Sequence, residues 1–325
     1  MPGFTPGQGT RRALLAAGAG IGMGTAGPGL LAGCTAARGR SDLSAGLLQA
    51  PAAHLPGTHL RDLRDPASGR TWRVWVQPPA GPAPEHGHPV LYVLDGNAAF
   101  ALAAQLARND AERPVGLRPD AAIVVGIGHP GDAAFHPAER LRDFTPAAAG
   151  GAATAAAGGA DLLLDFMARE LQPQVARAFR IDGRRQTISG HSLGGLFVLH
   201  ALFTRPAQFH RYAATSPSVW WNQGQVLGTA EQFVLAHASA PRPFEARLRL
   251  RVGGLETERA AATPARAAVQ AERRLMQRTE ALAHRLSGLA WPELHVDADV
   301  LPGVDHGGAM LPGLVGALAM AQQPR

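Results

Sequence analysis

The chain has 325 residues with 31 basic and 25 acidic side chains, a formal charge of +6, and one cysteine. That length suits one large or two small domains, and a lone cysteine excludes internal disulfides. Every basic residue is arginine and no basic run carries interleaved aromatics, so the positive charge gives no reason to expect a nucleic-acid partner.

At the N-terminus, Thr10-Arg11-Arg12-Ala13-Leu14-Leu15 precedes a glycine- and alanine-rich, moderately apolar stretch that ends in Leu31-Ala32-Gly33-Cys34. Twin arginines before such a segment read as an export signal. Leu-Ala-Gly-Cys resembles a lipobox, in which cleavage before Cys34 frees a thiol that carries diacylglycerol. Residues 1–33 are therefore expected to be a twin-arginine lipoprotein-type signal. Residues 34–58, rich in Ala, Gly, Ser and Pro and without periodicity, are expected to be a flexible tether, and 59–325 the folded domain. The expected location is outside the cytoplasm, periplasmic or cell-surface, with the membrane reached through the lipid at Cys34. An ordinary cleaved signal or an uncleaved anchor with an incidental cysteine is the alternative.

Beyond the tether, Thr71 to Val76 alternates in polarity and ends at Pro78-Pro79, as an early antiparallel strand does. Val90 to Leu94 and Ala122 to Val125 are continuous apolar runs, the pattern of strands buried on both faces of a parallel sheet. Further strands are predicted over Gln186 to Gly190, Tyr212 to Thr215, Arg247 to Val252 and Leu294 to Val300. Helices are predicted over Ala98 to Leu106, Asp161 to Phe179, Leu193 to Phe203, Pro264 to Leu286, with Thr263 as N-cap, and from about Gly308. The tract Ala147 to Gly159 reads as a flexible insertion. This alternation, with no repeat, predicts a single α/β domain whose chemistry lies at the carboxyl edge of the sheet.

Gly190-His191-Ser192-Leu193-Gly194-Gly195 sits where a short apolar strand turns directly into an apolar helix. A serine flanked by glycines at such a turn is a nucleophile elbow, and a side chain at 190 or 194 is expected to collide with the neighbouring backbone. A serine hydroxyl needs a base. His306, in Gly303-Val304-Asp305-His306-Gly307-Gly308 between the last predicted strand and the last helix, occupies the place that the chain order Ser, acid, His assigns to it. His284 and His295 read as packing or surface residues. The acid belongs in the loop after Arg247 to Val252, where Glu256 is the first choice and Glu258 and then Asp299 follow; Asp305 is poorly placed to reach Nδ1 of its neighbour. For an oxyanion, the Leu193 N–H is one expected donor, and Gly96 or Asn97, in the loop after Val90 to Leu94, the other. Glu85-His86-Gly87-His88 reads as incidental in a proline-rich loop, and neither a metal nor an organic cofactor is expected.

These residues resemble the esterase-D-like α/β hydrolases, and among them the bacterial esterases that cut the trilactone of catecholate siderophores. The matching pieces are Leu94-Asp95-Gly96, Val125-Gly126-Ile127-Gly128, Arg142-Asp143-Phe144-Thr145-Pro146, the elbow, Thr215-Ser216-Pro217-Ser218-Val219-Trp220-Trp221 and Asp305-His306-Gly307. The resemblance implies an α/β-hydrolase fold, a mostly parallel sheet flanked by helices, with Ser192 as nucleophile and His306 as base. Trp220 and Trp221 are expected as an aromatic wall for catechol or acyl groups. Arg140 and Arg142, on what reads as a long loop, are expected to meet an anionic substrate such as a ferric catecholate.

The expected function is hydrolysis of a small-molecule carboxylic ester, an iron-siderophore among the candidates, through an acyl-enzyme. Two competitors stand beside it. One is an acyltransferase on the same fold that passes the acyl group to a sugar or lipid hydroxyl. The other is a lipoprotein that binds a ligand without chemistry.

Overall fold

Val90 to Leu94 and Ile123 to Ile127 offer no charged side chain to solvent, and each is buried along its whole length in the centre of one sheet. The computed structural model describes residues 54–148, 156–240, 243–257 and 263–325, which belong to one compact unit, His54–Arg325. The twin-arginine segment, Cys34, the tether as far as residue 53, Glu258 and part of the Ala147 to Gly159 tract lie outside these residues.

Eight strands form the sheet: β1 (His59–Arg64), β2 (Thr71–Gln77), β3 (His88–Leu94), β4 (Ile123–Gly128), β5 (Ile181–His191), β6 (Arg211–Thr215), β7 (Ala246–Gly253) and β8 (Leu294–Leu301). Their spatial order is β1-β2-β4-β3-β5-β6-β7-β8. β2 runs antiparallel to both β1 and β4, and every other pairing is parallel. β8, at one edge, pairs with β7 alone, and much of its length is exposed.

The helices are α1 (Gly96–Ala111), α2 (Pro137–Phe144), α3 (Ala160–Phe166), α4 (Gln172–Ala178), α5 (Leu193–Thr204), α6 (Trp221–Ser239), α7 (Pro264–Arg273), α8 (Leu275–Ser287) and α9 (Met310–Gln322). Alternate residues of each central strand point to opposite faces, and two apolar layers result. Val90, Tyr92 and Leu94 join Leu196 to Phe203 of α5 and residues of α3, α6 and α8 on one face. Leu91 and Val93 join α1 and α9 on the other. Helices on both faces of a mostly parallel sheet make this an α/β-hydrolase fold, as the sequence predicts.

Several elements depart from expectation. The helix predicted over Asp161 to Phe179 is interrupted by a π-helical turn, Met167–Leu171, just before Pro173, a residue with no N–H to give an intrahelical bond. The helix predicted over Pro264 to Leu286 breaks at Arg274, whose φ is 45°. Pro264 opens it as predicted, with the Ala267 N–H donating to the Thr263 carbonyl at 2.9 Å. β1, α2 and α6 were not anticipated, so Arg140 and Arg142 lie on a helix and not on a loop.

Candidate active site

β5 ends at His191, and Ser192 turns the chain into α5 with φ 59° and ψ −117°. A non-glycine residue in that region carries strain on the order of 1–3 kcal/mol. Two glycines allow the turn. A Cβ on Gly190 would lie 2.3 Å from the Gly194 carbonyl carbon and oxygen, and one on Gly195 would lie 2.9 Å from Pro217 Cα. Gly194 differs from expectation: its nearest atoms, Asp95 Oδ2 and Leu94 Cβ, stand at an ordinary 3.5 Å. The backbone holds Ser192 from both sides, since its N–H donates to the Thr215 carbonyl at 3.1 Å and its carbonyl accepts from Leu196 and Ser218, each at 3.0 Å.

The loops after β7 and β8 bring their side chains to this serine. His306 Nε2 lies 3.0 Å from Ser192 Oγ. Its Nδ1 lies 2.6 Å from Oε2 of Glu256. The other carboxylate oxygen of Glu256 accepts from Ser216 Oγ at 2.5 Å and from the Gly253 N–H at 2.8 Å. Burial alone raises the pKa of Glu256, but the hydrogen bond and charge of His306 and the donors Ser216 and Gly253 outweigh it and hold the carboxyl below its usual range. Glu256 is thus a buried anion at the Nδ1 edge of the imidazole. A neutral His306 with its proton on Nδ1 leaves Nε2 free to accept from Ser192.

The other acid candidates are elsewhere. Asp299 faces Arg251 across the β7–β8 pairing, at 3.3 Å, and Asp305 Oδ1 accepts from the Gly308 N–H at 2.9 Å. His88, from the Glu85 to His88 cluster, has Nδ1 2.9 Å from the Ala121 carbonyl.

The expected oxyanion donors flank the same edge. Leu193 opens α5 and Gly96 opens α1, so neither N–H has an intrahelical acceptor. Leu94 and Asp95, which lead into α1, touch the face of Gly194, which places the two helix starts side by side. The Asn97 side chain is occupied: Nδ2 donates to the carbonyls of His129 at 3.0 Å and Gly131 at 3.2 Å, while Oδ1 accepts from the His129 N–H at 2.9 Å. It ties the start of α1 to the loop after β4.

Arg140 and Arg142 are not a free cation pair. Arg140 makes two bonds to the buried carboxylate of Asp95, at 2.6 and 3.0 Å, and Arg142 makes two to Asp143, each at 2.7 Å. Asp143 also accepts from Arg70 at 2.9 Å and Trp72 Nε1 at 3.0 Å, and lies 3.1 Å from His129 Nε2. Burial opposes its charge, yet the bonds from Arg142 and His129 bring its pKa down to about 2. Both guanidiniums are matched to carboxylates from within the fold. Trp220 and Trp221 are each half-buried. Arg273 stacks 4.2 Å above the Trp220 ring, and Trp221 packs against the larger apolar layer.

Sequence reasoning did not single out Ser216, Ser218, Asp95 or His191. Ser218 Oγ lies 3.4 Å from Ser192 Oγ. Asp95, Ser192 and Ser216 all have positive φ, at 55°, 59° and 44°, so left-handed backbone is gathered at the ends of β3, β5 and β6 around one point. Thr215-Ser216-Pro217-Ser218 and Leu94-Asp95-Gly96, which carry the family resemblance, are the sequence signal for Ser216, Ser218 and Asp95.

Comparison with known proteins places the chain among esterases. The chain is 38% identical over 188 residues to the ferri-bacillibactin esterase BesA of Bacillus subtilis, a match that covers 55% of this chain and 65% of BesA, just under two thirds. The crystal structure of the BES protein from Bacillus cereus superposes with a TM-score of 0.73 at 30% identity, covering 85% of this chain and 98% of that one. The siderophore hydrolase EstB from Aspergillus nidulans gives a TM-score of 0.73 at 28% identity, covering 85% of this chain and all of its own. A model of the esterase family matches residues 66–288, more than half of the sequence, and the chain belongs to that family of α/β hydrolases.

Proposed function

We propose that this protein is a serine esterase that hydrolyses siderophore esters through an acyl-enzyme at Ser192. The observation that carries the reading is the 3.0 Å contact of Ser192 Oγ with His306 Nε2, continued at 2.6 Å from Nδ1 to Glu256. Ser192 Oγ attacks the ester carbonyl as its proton passes to Nε2, and the buried carboxylate of Glu256 balances the imidazolium that results. The oxyanion is met by the N–H of Leu193 and of Gly96 or Asn97. Collapse breaks the bond to the alkoxy oxygen, which takes the proton from Nε2 and leaves as the alcohol. Water then attacks the acyl-serine with His306 again as base, releasing the acid and restoring Ser192.

The substrate class follows the relatives named as acting on ferri-bacillibactin and on enterobactin. A fluorophosphonate probe tests the nucleophile: a covalent adduct on the wild-type chain that is absent in Ser192→Ala supports it, and an undiminished adduct in that variant removes it. Hydrolysis of a catecholate trilactone, iron-free and iron-loaded, beside short acyl esters tests the substrate. Equal specificity for all of them would reduce the reading to a general esterase.

The protein is further proposed to act outside the cytoplasm, tethered by lipid at Cys34, on the strength of the twin-arginine and Leu-Ala-Gly-Cys segments. Cys34→Ser should abolish incorporation of labelled fatty acid; continued labelling would exclude that site.

A further inference from the structure

His191, the residue before Ser192 in the elbow, closes β5 and faces Thr215 of β6 in the strand register. Its ring centroid lies 4.7 Å from that of His306, and its Nε2 lies 2.7 Å from the main-chain carbonyl oxygen of His306. A carbonyl only accepts, so the bond assigns a proton to Nε2 of His191. The loop that carries His306 has glycines at 303, 307 and 308 and is largely exposed. Its other ties attach to neighbours of the base: Leu255 N–H donates to the Val304 carbonyl at 3.0 Å, and Ala309 N–H to that of Asp305 at 3.0 Å.

We propose that His191 is a positioning residue for the base, its Nε2–H holding the His306 main chain so that the imidazole spans Ser192 and Glu256 at once. This inference rests on the serine-esterase reading above. Side-chain chemistry explains why an imidazole suits the place. Lysine or arginine would donate equally well but would set a fixed positive charge beside a ring that must itself become positive. The charged groups that act on His191 are His306, Glu256 and Arg140, and Asp95 lines the same small cavity of about 20 Å³. Burial first, then the charge of His306, lower the His191 pKa to about 4, so it stays neutral while the base cycles.

The test uses the full chain and p-nitrophenyl butyrate. His191→Phe removes the donor and keeps a ring; His191→Gln keeps an amide N–H at similar reach; His191→Asn is too short to span the gap. His191→Phe and His191→Asn are expected to keep KM and lower kcat about tenfold, the effect of one lost positioning hydrogen bond. The rate of fluorophosphonate addition at Ser192 should fall in parallel, and His191→Gln should restore most of both. The far-downfield proton resonance of the His306–Glu256 bond should be displaced in the first two variants and return in the third. Unchanged kcat and addition rate in folded His191→Phe or His191→Asn would overturn the proposal, as would a fall in His191→Gln as deep as in His191→Asn. Absence of an adduct on the wild-type chain would instead defeat the serine mechanism itself.

Discussion

Replacing Glu256 by glutamine alters one atom in a site whose hydrogen bonds dictate where that atom goes. In the native site one carboxylate oxygen meets two donors, Ser216 Oγ at 2.5 Å and the Gly253 N–H at 2.8 Å, and the other meets His306 Nδ1 at 2.6 Å. The serine hydroxyl can reverse its proton, but the Gly253 N–H cannot. The amide oxygen of Glu256→Gln must therefore stay with Gly253, and its NH2 must face His306. An NH2 opposite Nδ1 demands that Nδ1 accept, which moves the imidazole proton to Nε2 and blocks transfer from Ser192. Loss of both the correct tautomer and the balancing charge is expected to lower kcat about 10³- to 10⁴-fold, on the order of 4–5.5 kcal/mol in the barrier. KM for p-nitrophenyl butyrate should hardly change, since Glu256 meets the edge of His306 opposite the one that meets Ser192. Steady-state kinetics on the folded variant, with fluorophosphonate addition as a second readout, measure this. A kcat within about tenfold of the wild type would show that Glu256 does not govern the tautomer of His306.

The elbow glycines should separate cleanly in a thermal melt. Gly190→Ala, driven into backbone at 2.3 Å, is expected to lose about 3 kcal/mol or fail to fold, whereas Gly194→Ala, with its neighbours at 3.5 Å, should hold its midpoint; the reverse order would refute the packing argument. Asp143 supplies an acid-dependent part of stability. Its pKa falls on folding from 3.8 to about 2, so its stabilisation is complete above about pH 4 and is lost as pH drops through 2. Urea unfolding of Asp143→Asn should show about 2 kcal/mol less stability at pH 7 and a flatter decline between pH 4 and 2.5, while parallel acid curves for the two proteins would contradict it. Ser216→Ala removes one donor from Glu256, so its carboxyl should protonate at higher pH. Steady-state kinetics on the folded variant are expected to show kcat down about threefold to tenfold, and an unchanged kcat would rule out the contact as a support for the charge.

Much of the site is legible in the sequence because each proposed reacting group follows a recognisable strand: β5 closes on a short run into the glycine-flanked serine, and β7 and β8 alternate apolar with polar or charged residues. Position after a strand then decides location: Ser192 after β5, Glu256 after β7, His306 after β8. What sequence does not convey is which side chains are already engaged. Arg140 reads as an available cation, but Asp95, 45 positions earlier, turns through a left-handed backbone to meet it. Arg142 likewise finds its partner in the adjacent Asp143, whose other contacts come from Arg70 just before β2, Trp72 within it and the loop after β4. The break at Arg274 has no glycine or proline to mark it, and α6 begins with three residues, Asn222 to Gly224, in left-handed conformations that disguise its start. Ser216 is named in a motif, yet its reach to Glu256 depends on a φ of 44° that spacing does not encode.

His306, the proposed base, follows the outermost strand of the sheet, which has a partner on one side only. Elements held in this way detach before a domain comes apart as a whole. Under the proposed mechanism, activity would therefore be less durable than the scaffold that hosts it: peeling away the final strand would carry off the His306 imidazole and leave Ser192 alone on an otherwise sound body, so that working lifetime would be set at the margin of the fold and not at its centre.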